Sequence, residues 1–552
     1  MAKYGTHPEL AKHEQKFGIL CFESAGATDK TLSLGYGYSA IQKVVKGLTP
    51  ATAKEPNPKV LQALKRAVQE LEAAKVEGIT GESCLVLPLQ AEVRSMSRVP
   101  IFLSALLQAA LLIAAHDKQQ KFLIVTKHAD EVNARKEELL KMCGVMVAPE
   151  RFMVLDLLGR SPDALAKELG TMKDATPELA GVIFDCIHIV QHADQLRSIT
   201  KFPVFDQVTL MDFYFCARSD NPYFGTCYKE VTGNMKKGEV SHLVKKAQRR
   251  LFSPYENYQA NLVSKTDASV AVGVLRIDYS YPPIPGDVDH EGSYGYRVHF
   301  EQVDGLTFEK AQSAVLDEAI QESFKKAVKK LEEKGVVAIT GDCGFMMAYQ
   351  PYVRALTEIP VVLSSILQAP MLVATHEPEA KFAIFTANSS TFDKEKLLAQ
   401  SGMTVDTSQW IVVGLQDLDG FEAVALGQKV PAEKVQPGIL KCVKNLITKE
   451  PQLRGILLEC TELPHYADAI RADSGLPVVD AITLVDFFQS SCTTAPAFSK
   501  KTLEAFLGVL DPRLAISTVA VVTAGTLGAA VGVTGKVAQT ASNTASACCV
   551  LQ

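Results

Sequence analysis

The sequence predicts an α/β protein built by tandem duplication, with two parallel-sheet lobes in each half. Two observations carry this. The chain repeats itself: Ile79–Gln108 matches Ile339–Gln368 at an offset of 260 with 11 of 30 positions identical, and Gly181–Phe213 matches Gly455–Phe487 at an offset of 274 with 12 of 33. KFLIVT at 121–126 and KFAIFT at 381–386 fall between them in the same order. A period this long describes two whole globular units rather than a solenoid. Within each half, apolar β-rich runs alternate with amphipathic segments, the signature of βαβ units around a parallel sheet.

In the second half the strand-like runs are VAVGVLRI, GVVAIT, KFAIFT, WIVVG, RGILLE and LPVVD. The stretch FEKAQSAVLDEAIQESFKKAVKKLEEK separates the first two, with apolar residues three and four apart, as a helix packed on a sheet requires. Six runs suggest two lobes per half. The boundaries expected are a first half at 1–227, a linker at 228–268, a second half at 269–500 and a C-terminal apolar tail at 501–552. The linker is polar and locally basic (Lys236, Lys237, Lys245, Lys246, Arg249, Arg250) and reads as a solvated helix.

Composition narrows the function classes. The 552 residues are 47% hydrophobic and 22% charged, so wholesale disorder is excluded. The formal charge of −5 argues against a nucleic-acid surface. Twelve cysteines without a C-x-x-C pair indicate neither a disulfide scaffold nor a structural zinc site. The start MAKYGTHPELAKHEQK lacks an apolar core and does not read as a secretory signal, so a reducing, cytoplasmic setting is expected.

Open α/β sheets bind ligands beyond the carboxyl ends of their strands. In the second half GVVAIT runs into Gly341-Asp342-Cys343-Gly344, and RGILLE runs into Cys460-Thr461-Glu462-Leu463-Pro464. Each places a cysteine between a strand and a helix start, a setting expected to lower a thiol pKa and to bind a carboxylate. Two such cysteines facing each other would flank a small carboxylic acid, one taking and one returning a proton next to the carboxylate. A single free cysteine in such a place is more often a small buried hydrophobe.

Cys343 in ITGDCGF and Cys460 in LLECTELP resemble the paired cysteines of the aspartate/glutamate/hydantoin racemase superfamily. The stretches GVLRIDYSYPPIPGDVDHEGSYGY (273–296), DGLTFEKAQ (304–312), AITGDCGFMM (338–347), FAIFTAN (382–388), IVVGLQDLDGFEAVALGQKV (411–430) and ILLECTELPHYADAIRADSGLPVVDAITLVDFF (456–488) more specifically resemble the algal and coral, Alma-type, dimethylsulfoniopropionate (DMSP) lyases within it. The resemblance implies Rossmann-like lobes of the Asp/Glu racemase type. It also implies β-elimination of DMSP to dimethyl sulfide and acrylate, with no cofactor and no metal. Cys343 or Cys460 would be the general base, with the assignment left open. Thr386, Asn388 and Thr461 would hold the carboxylate, with ordinary helix capping as the competing role. Asp342, Gly344 and Glu462 beside the cysteines complete the expected binding set. Glu459 and Asp342 precede the cysteines and are placed either to tune the thiols or merely to cap helices. For the sulfonium, the aromatic residues Tyr279, Tyr281, Tyr294, Phe308, Phe345 and Tyr349 are candidates, with Asp278 and Asp287 as charged neighbours. Pro285-Gly286-Asp287 also has the composition of a tight turn. The alternatives are a cofactor-independent amino-acid racemase and a non-catalytic carboxylate-binding relative.

The first half departs from this pattern. Ser83 stands at the Cys343 position with Cys84 shifted by one; Cys186 matches Cys460, but Ile187 and His188 replace Thr461 and Glu462, His128 replaces Asn388, and PPIPGD is absent. DNPYFG at 220–225 resembles the segment following the core in the family. This half is therefore expected to be an inactive copy packed against the second as a built-in dimer partner, with further self-association left open. In the tail, 514–535 is 22 residues without a charge, and Cys549 with Val550, Leu551 and Gln552 fits a prenylation pattern, so membrane contact through the tail is also expected.

Overall fold

The computed structural model describes residues 15–24, 27–35, 38–145, 148–157, 161–187, 193–200, 202–218, 271–400 and 406–492. The linker, His188, DNPYFG and the C-terminal tail lie outside the described residues.

Four sheets follow one another along the chain. The first contains β1 (Gln15–Cys21), β2 (Lys30–Gly35), β3 (Tyr38–Val44), β4 (Gly78–Gly81) and β5 (Ile101–Phe102) in the order β2-β3-β1-β4-β5. The second contains β6 (Lys121–Thr126), β7 (Phe152–Asp156), β8 (Leu179–Phe184) and β9 (Val204–Phe205), ordered β7-β6-β8-β9. The third contains β10 (Ala271–Arg276), β11 (Arg297–Gln302), β12 (Val336–Gly341) and β13 (Val361–Val362), ordered β11-β10-β12-β13. The fourth contains β14 (Lys381–Thr386), β15 (Trp410–Gly414), β16 (Leu453–Leu458) and β17 (Val478–Val479), ordered β15-β14-β16-β17. All pairings are parallel except β2 with β3. The expected four parallel-sheet lobes are present.

The six apolar runs of the second half became β10, β12, β14, β15, β16 and β17. The sequence missed β11 and β13. β11 (RVHFEQ) is an edge strand with no fully buried residue, so it lacks a continuous apolar run. β13 is two residues long. The amphipathic stretch after β11 forms two helices, Phe308–Gln312 and Glu318–Glu333, with Ala314 at φ 53 between them. The Asp317 carboxylate starts the second by accepting from Ile320 N at 2.9 Å. Ile320, Phe324, Ala327, Val328 and Leu331 form its buried stripe. Leu331 sits so close to β10 that a Cβ on Gly273 would lie 2.7 Å from its Cδ1; Gly18 and Leu71 repeat the contact at 2.6 Å in the first half.

The two halves share a core and exchange matching hydrogen bonds. Gln350 Nε2 donates to Ala114 O and Gln90 Nε2 to Ala374 O, both at 2.9 Å. Arg354 and Arg94 repeat the exchange, each reaching the last carbonyls of the other half's helix, Ala109–Ala115 or Ala369–Thr375. Cationic donors there satisfy carbonyls that a helix end leaves open. Phe205 packs tilted against Phe487 and Phe213 meets it edge-on, at 5.6 and 5.8 Å between ring centroids, closing the seam with aromatic surface.

Gln350 also donates to Val361 O and accepts from Leu363 N at 2.9 Å, so it ties β13 to the other half. Gln350→Leu strands Val361 O and Leu363 N and leaves Ala114 O with Arg354 as its donor, and is expected to cost about 2–3 kcal/mol, read as a lowered urea midpoint.

Candidate active site

The third and fourth sheets point their carboxyl ends at a common cleft of about 400 Å³ that opens to solvent. One lobe supplies Ile277, Tyr279, Tyr281, Phe308, Asp342, Cys343, Gly344 and Phe345 to its wall; the other supplies Ala387, Val424, Glu459, Cys460, Thr461 and Glu462. Both cysteines therefore line one space from separate lobes. Cys343 is the N-cap of a 3₁₀ turn at Gly344–Tyr349, and Cys460 precedes another at Leu463–Tyr466.

The expected lowering of the thiol pKa is not what this environment produces. Burial pushes both thiols well above the ordinary value, and carboxylates add to it: Asp342 and Glu459 at Cys343, Glu462 and Glu459 at Cys460. The backbone N–H groups of Phe345 and Glu462 favour the thiolates but are outweighed. A single 3₁₀ turn offers few aligned dipoles, whereas burying a charge costs several kcal/mol (roughly).

The acids respond in the same direction. Cys460 Sγ donates to Glu462 Oε2 at 3.6 Å. Burial holds the Glu462 carboxyl up at about 7, with nearby Asp289 adding to the effect and the Cys460 thiol opposing it. Glu459 is likewise raised to about 7 by burial. Asp342 is pushed well up by burial and by Asp289, although its Oδ1 accepts from Ile277 N at 2.9 Å. Asp289 is itself paired with Arg276 at 2.6 Å.

Several expected ligand contacts are occupied by structural ones. The Thr461 hydroxyl donates to Asp342 O, and Thr461 O accepts from Val288 N at 3.1 Å, so Thr461 lines the cleft while stapling the lobes. Asp287 is not part of the wall: its Oδ2 accepts from Ile284 N at 2.7 Å and closes the turn read from Pro285-Gly286-Asp287. Gly286 has φ +108, and a Cβ there would fall 2.5 Å from His465 Cα, so only glycine fits. Thr386 is fully buried behind the wall, and Asn388 Oδ1 caps Ser390 N at 3.0 Å. Asp278 accepts from Gly305 N and Gln302 Nε2, away from the cleft wall.

Of the aromatic candidates, Tyr279, Tyr281, Phe308 and Phe345 line the cleft. Tyr279 stacks on Phe308 at 5.7 Å and on Tyr281 at 6.0 Å. Tyr294 and Tyr349 spend their hydroxyls on Val288 O and on Lys310 O and Val315 O elsewhere. Sequence reasoning missed Val424, which the loop Gly420–Gly427 brings over the cleft and whose carbonyl accepts from Tyr279 OH. Its signal was the GFEAVALG stretch, matched as a motif but not read as a wall. Among the described residues no group of three His, Cys, Asp or Glu is arranged to hold a metal.

Paired lobes with one cysteine each at the strand ends define a racemase-type α/β architecture, and residues 304–485 match the Asp/Glu/Hydantoin racemase family model. Along most of its length the chain is similar to dimethylsulfoniopropionate lyase 5 of Emiliania huxleyi (strain CCMP1516): 35% identical over 499 residues, covering 84% of this chain and 95% of that protein. It is 43% identical over 231 residues to the dimethylsulfoniopropionate lyase of Durusdinium sp. clade D, covering 41% of this chain and 77% of that one. The solved allantoin racemase from Klebsiella pneumoniae is 18% identical, with 42% of this chain and 91% of that chain covered and a TM-score of 0.27. The chain belongs to the dimethylsulfoniopropionate lyase family.

Raised carboxyl pKa values have a consequence for stability. Between about 4.5 and 7 folded Glu462 keeps a proton that the unfolded chain has lost, so its contribution is full at low pH and fades as pH rises through that window. The loss is about 3 kcal/mol. Glu462→Gln is expected to flatten the fall of the urea midpoint between pH 5 and 8; an unchanged slope counts against the assignment.

Proposed function

We propose that this protein cleaves DMSP to dimethyl sulfide and acrylate. The observation that carries the site assignment is the single cleft lined by Cys343 and Cys460, with Cys460 hydrogen-bonded to Glu462. In this reading Glu462 takes the Cys460 proton as substrate enters, and the Cys460 thiolate removes the C2 proton of DMSP. The C2–H electron pair becomes the C2–C3 double bond, the C3–S bond breaks, and its electrons leave on dimethyl sulfide. The abstracted proton then rests on Cys460, and release of the proton held by Glu462 to solvent restores the starting carboxylate and thiol. Cys343 faces the substrate from the other lobe and orients it. Tyr279, Tyr281 and Phe308 offer π faces to the sulfonium. A sulfonium is a good leaving group, so base and orientation suffice without a further electrophile.

The first half is proposed to be an inactive structural copy. Ser83 replaces the Cys343 thiol there and donates to Asp185 at 3.1 Å. The uncharged run at 514–535 is proposed to contact membrane; no helix among the described residues is long and apolar enough to cross one.

Headspace dimethyl sulfide from purified protein and DMSP tests the reaction. Cys343→Ser and Cys460→Ser are expected to lose at least about a hundredfold in rate, in the range general-base catalysis supplies. Cys186→Ala is expected to retain full activity. Aspartate and glutamate racemisation without dimethyl sulfide would favour a racemase instead. Detergent partitioning of the full chain against a 1–500 truncation checks the tail, with equal partitioning ending that proposal.

A further inference from the structure

Glu459 occupies an unusual position. It is buried, and neither carboxyl oxygen has a hydrogen-bond partner. The Thr386 hydroxyl favours its charged form without closing a hydrogen bond onto it. The carboxyl lies against Gly344 so closely that a Cβ there would fall 2.1 Å from Oε1 and 2.4 Å from Cδ. Negative charge on Glu459 opposes ionisation of Cys343 and Cys460 alike.

The first half shows what this position looks like when it is only structural. Offsets of 274 and 260 place Asp185 at Glu459 and Cys84 at Gly344. Asp185 is also buried, but it accepts from Cys84 N at 2.8 Å, from Ser83 Oγ and Ser104 Oγ at 3.1 Å each, and from Thr126 Oγ1 at 3.4 Å. The shorter acid leaves room for a side chain at 84 and finds four donors. The longer acid requires glycine at 344 and finds none. An orphaned buried carboxylate is costly, so the second half retains an arrangement that packing alone disfavours.

We propose that Glu459 is a positioning residue: a carboxyl kept uncharged in the cleft wall, against the space Gly344 leaves, so that a thiolate can form on the cysteine pair. This rests on Cys343 and Cys460 being the reacting pair. The titratable groups around Glu459 are Asp342 and Cys343 after β12, and Cys460 and Glu462 after β16; Thr386 at the end of β14 is its polar neighbour. These neighbours bring no positive charge, so the proton on Glu459 removes one of the repulsions the thiols face, beside those of Asp342 at Cys343 and Glu462 at Cys460. Burial raising its pKa to about 7 agrees with a neutral form at and below neutrality.

The test is iodoacetamide alkylation of the full-length protein across pH, with Cys343 and Cys460 read separately by peptide mass spectrometry. In the wild type, charge appearing on Glu459 as pH rises opposes ionisation of both thiols. In Glu459→Gln that charge never forms, so both inflections are expected to move down by about one pH unit, or about tenfold more thiolate at a fixed pH below them. Unchanged or raised inflections overturn the proposal. Glu459→Met supplies a second neutral side chain, judged by the same criterion, if the amide does not fold. A purely packing role for Glu459 would not move thiol ionisation downward in an isosteric amide. Absence of dimethyl sulfide from the wild type would defeat the lyase reading while leaving this titration result standing, so the two failures are distinguishable.

Discussion

Everything at the lobe junction follows from removing water from acids. Two thiols and the carboxyls of Asp342, Glu459 and Glu462 line one cleft, and the nearby guanidinium of Arg276 is already bound to Asp289. Desolvation is the largest cause of every upward shift among them. Protons therefore stay on at rest, and chemistry depends on which group gives one up. Backbone N–H groups at the two short 3₁₀ turns favour thiolates, but they act against burial and like charge together. Reactivity here has to come from neutralising neighbours rather than from a depressed thiol pKa.

The duplication provides an internal control for that statement. Apart from the antiparallel edge strand β2 of the first sheet, both halves have the same strand order, and they share the helix stripe, with Gly18 and Gly273 admitting Leu71 and Leu331. They differ where polarity is accounted for. The first half pairs its buried acid, Asp185, with four donors and pushes Cys84 and Cys143 into the core beside it. The second leaves Glu459 unpaired and opens the space to a cleft. Satisfied polar groups rigidify a core, and unsatisfied ones mark places maintained for something other than stability. The exchange of Gln and Arg donors between halves then fixes the two halves against each other.

Much of this was legible in the sequence. Strands buried on both faces, such as KFAIFT and RGILLE, announce themselves by continuous apolar character, and the repeat exposed the four-lobe plan. The edge strand RVHFEQ did not, because a strand with one side in water carries no such run. At the site, Cys343, Cys460, Gly344, Glu462 and Tyr279 were legible as strand-end chemistry and do line the cleft. Thr461 and Asp287 were legible as residue types but not in their work: a threonine hydroxyl or an aspartate is spent on whichever backbone group folding brings near it, and residue type alone does not reveal which. The direction of the thiol shifts was misjudged because helix starts are visible in sequence while the depth of burial and the approach of Glu459 across the lobes are not.

An acidic, poorly hydrated cleft also fits the charge change of the proposed reaction. DMSP is a zwitterion with no net charge, so it enters without net Coulomb cost, its sulfonium drawn to the acids and aromatic faces. Cleavage removes the cation as neutral dimethyl sulfide and leaves acrylate, a bare anion among carboxyls. At equal distances, the interaction that was attractive for the sulfonium end has vanished while repulsion of the carboxylate end remains, and low polarity magnifies that imbalance. The surplus of acid that makes the thiols hard to ionise thus also disfavours retention of product. Keeping Glu459 and Glu462 near neutrality with pKa values of about 7 sets this repulsion at a level that still admits substrate. Deeper ionisation would oppose entry of the carboxylate of DMSP itself, and complete neutrality would leave only the aromatic faces to favour the sulfonium end.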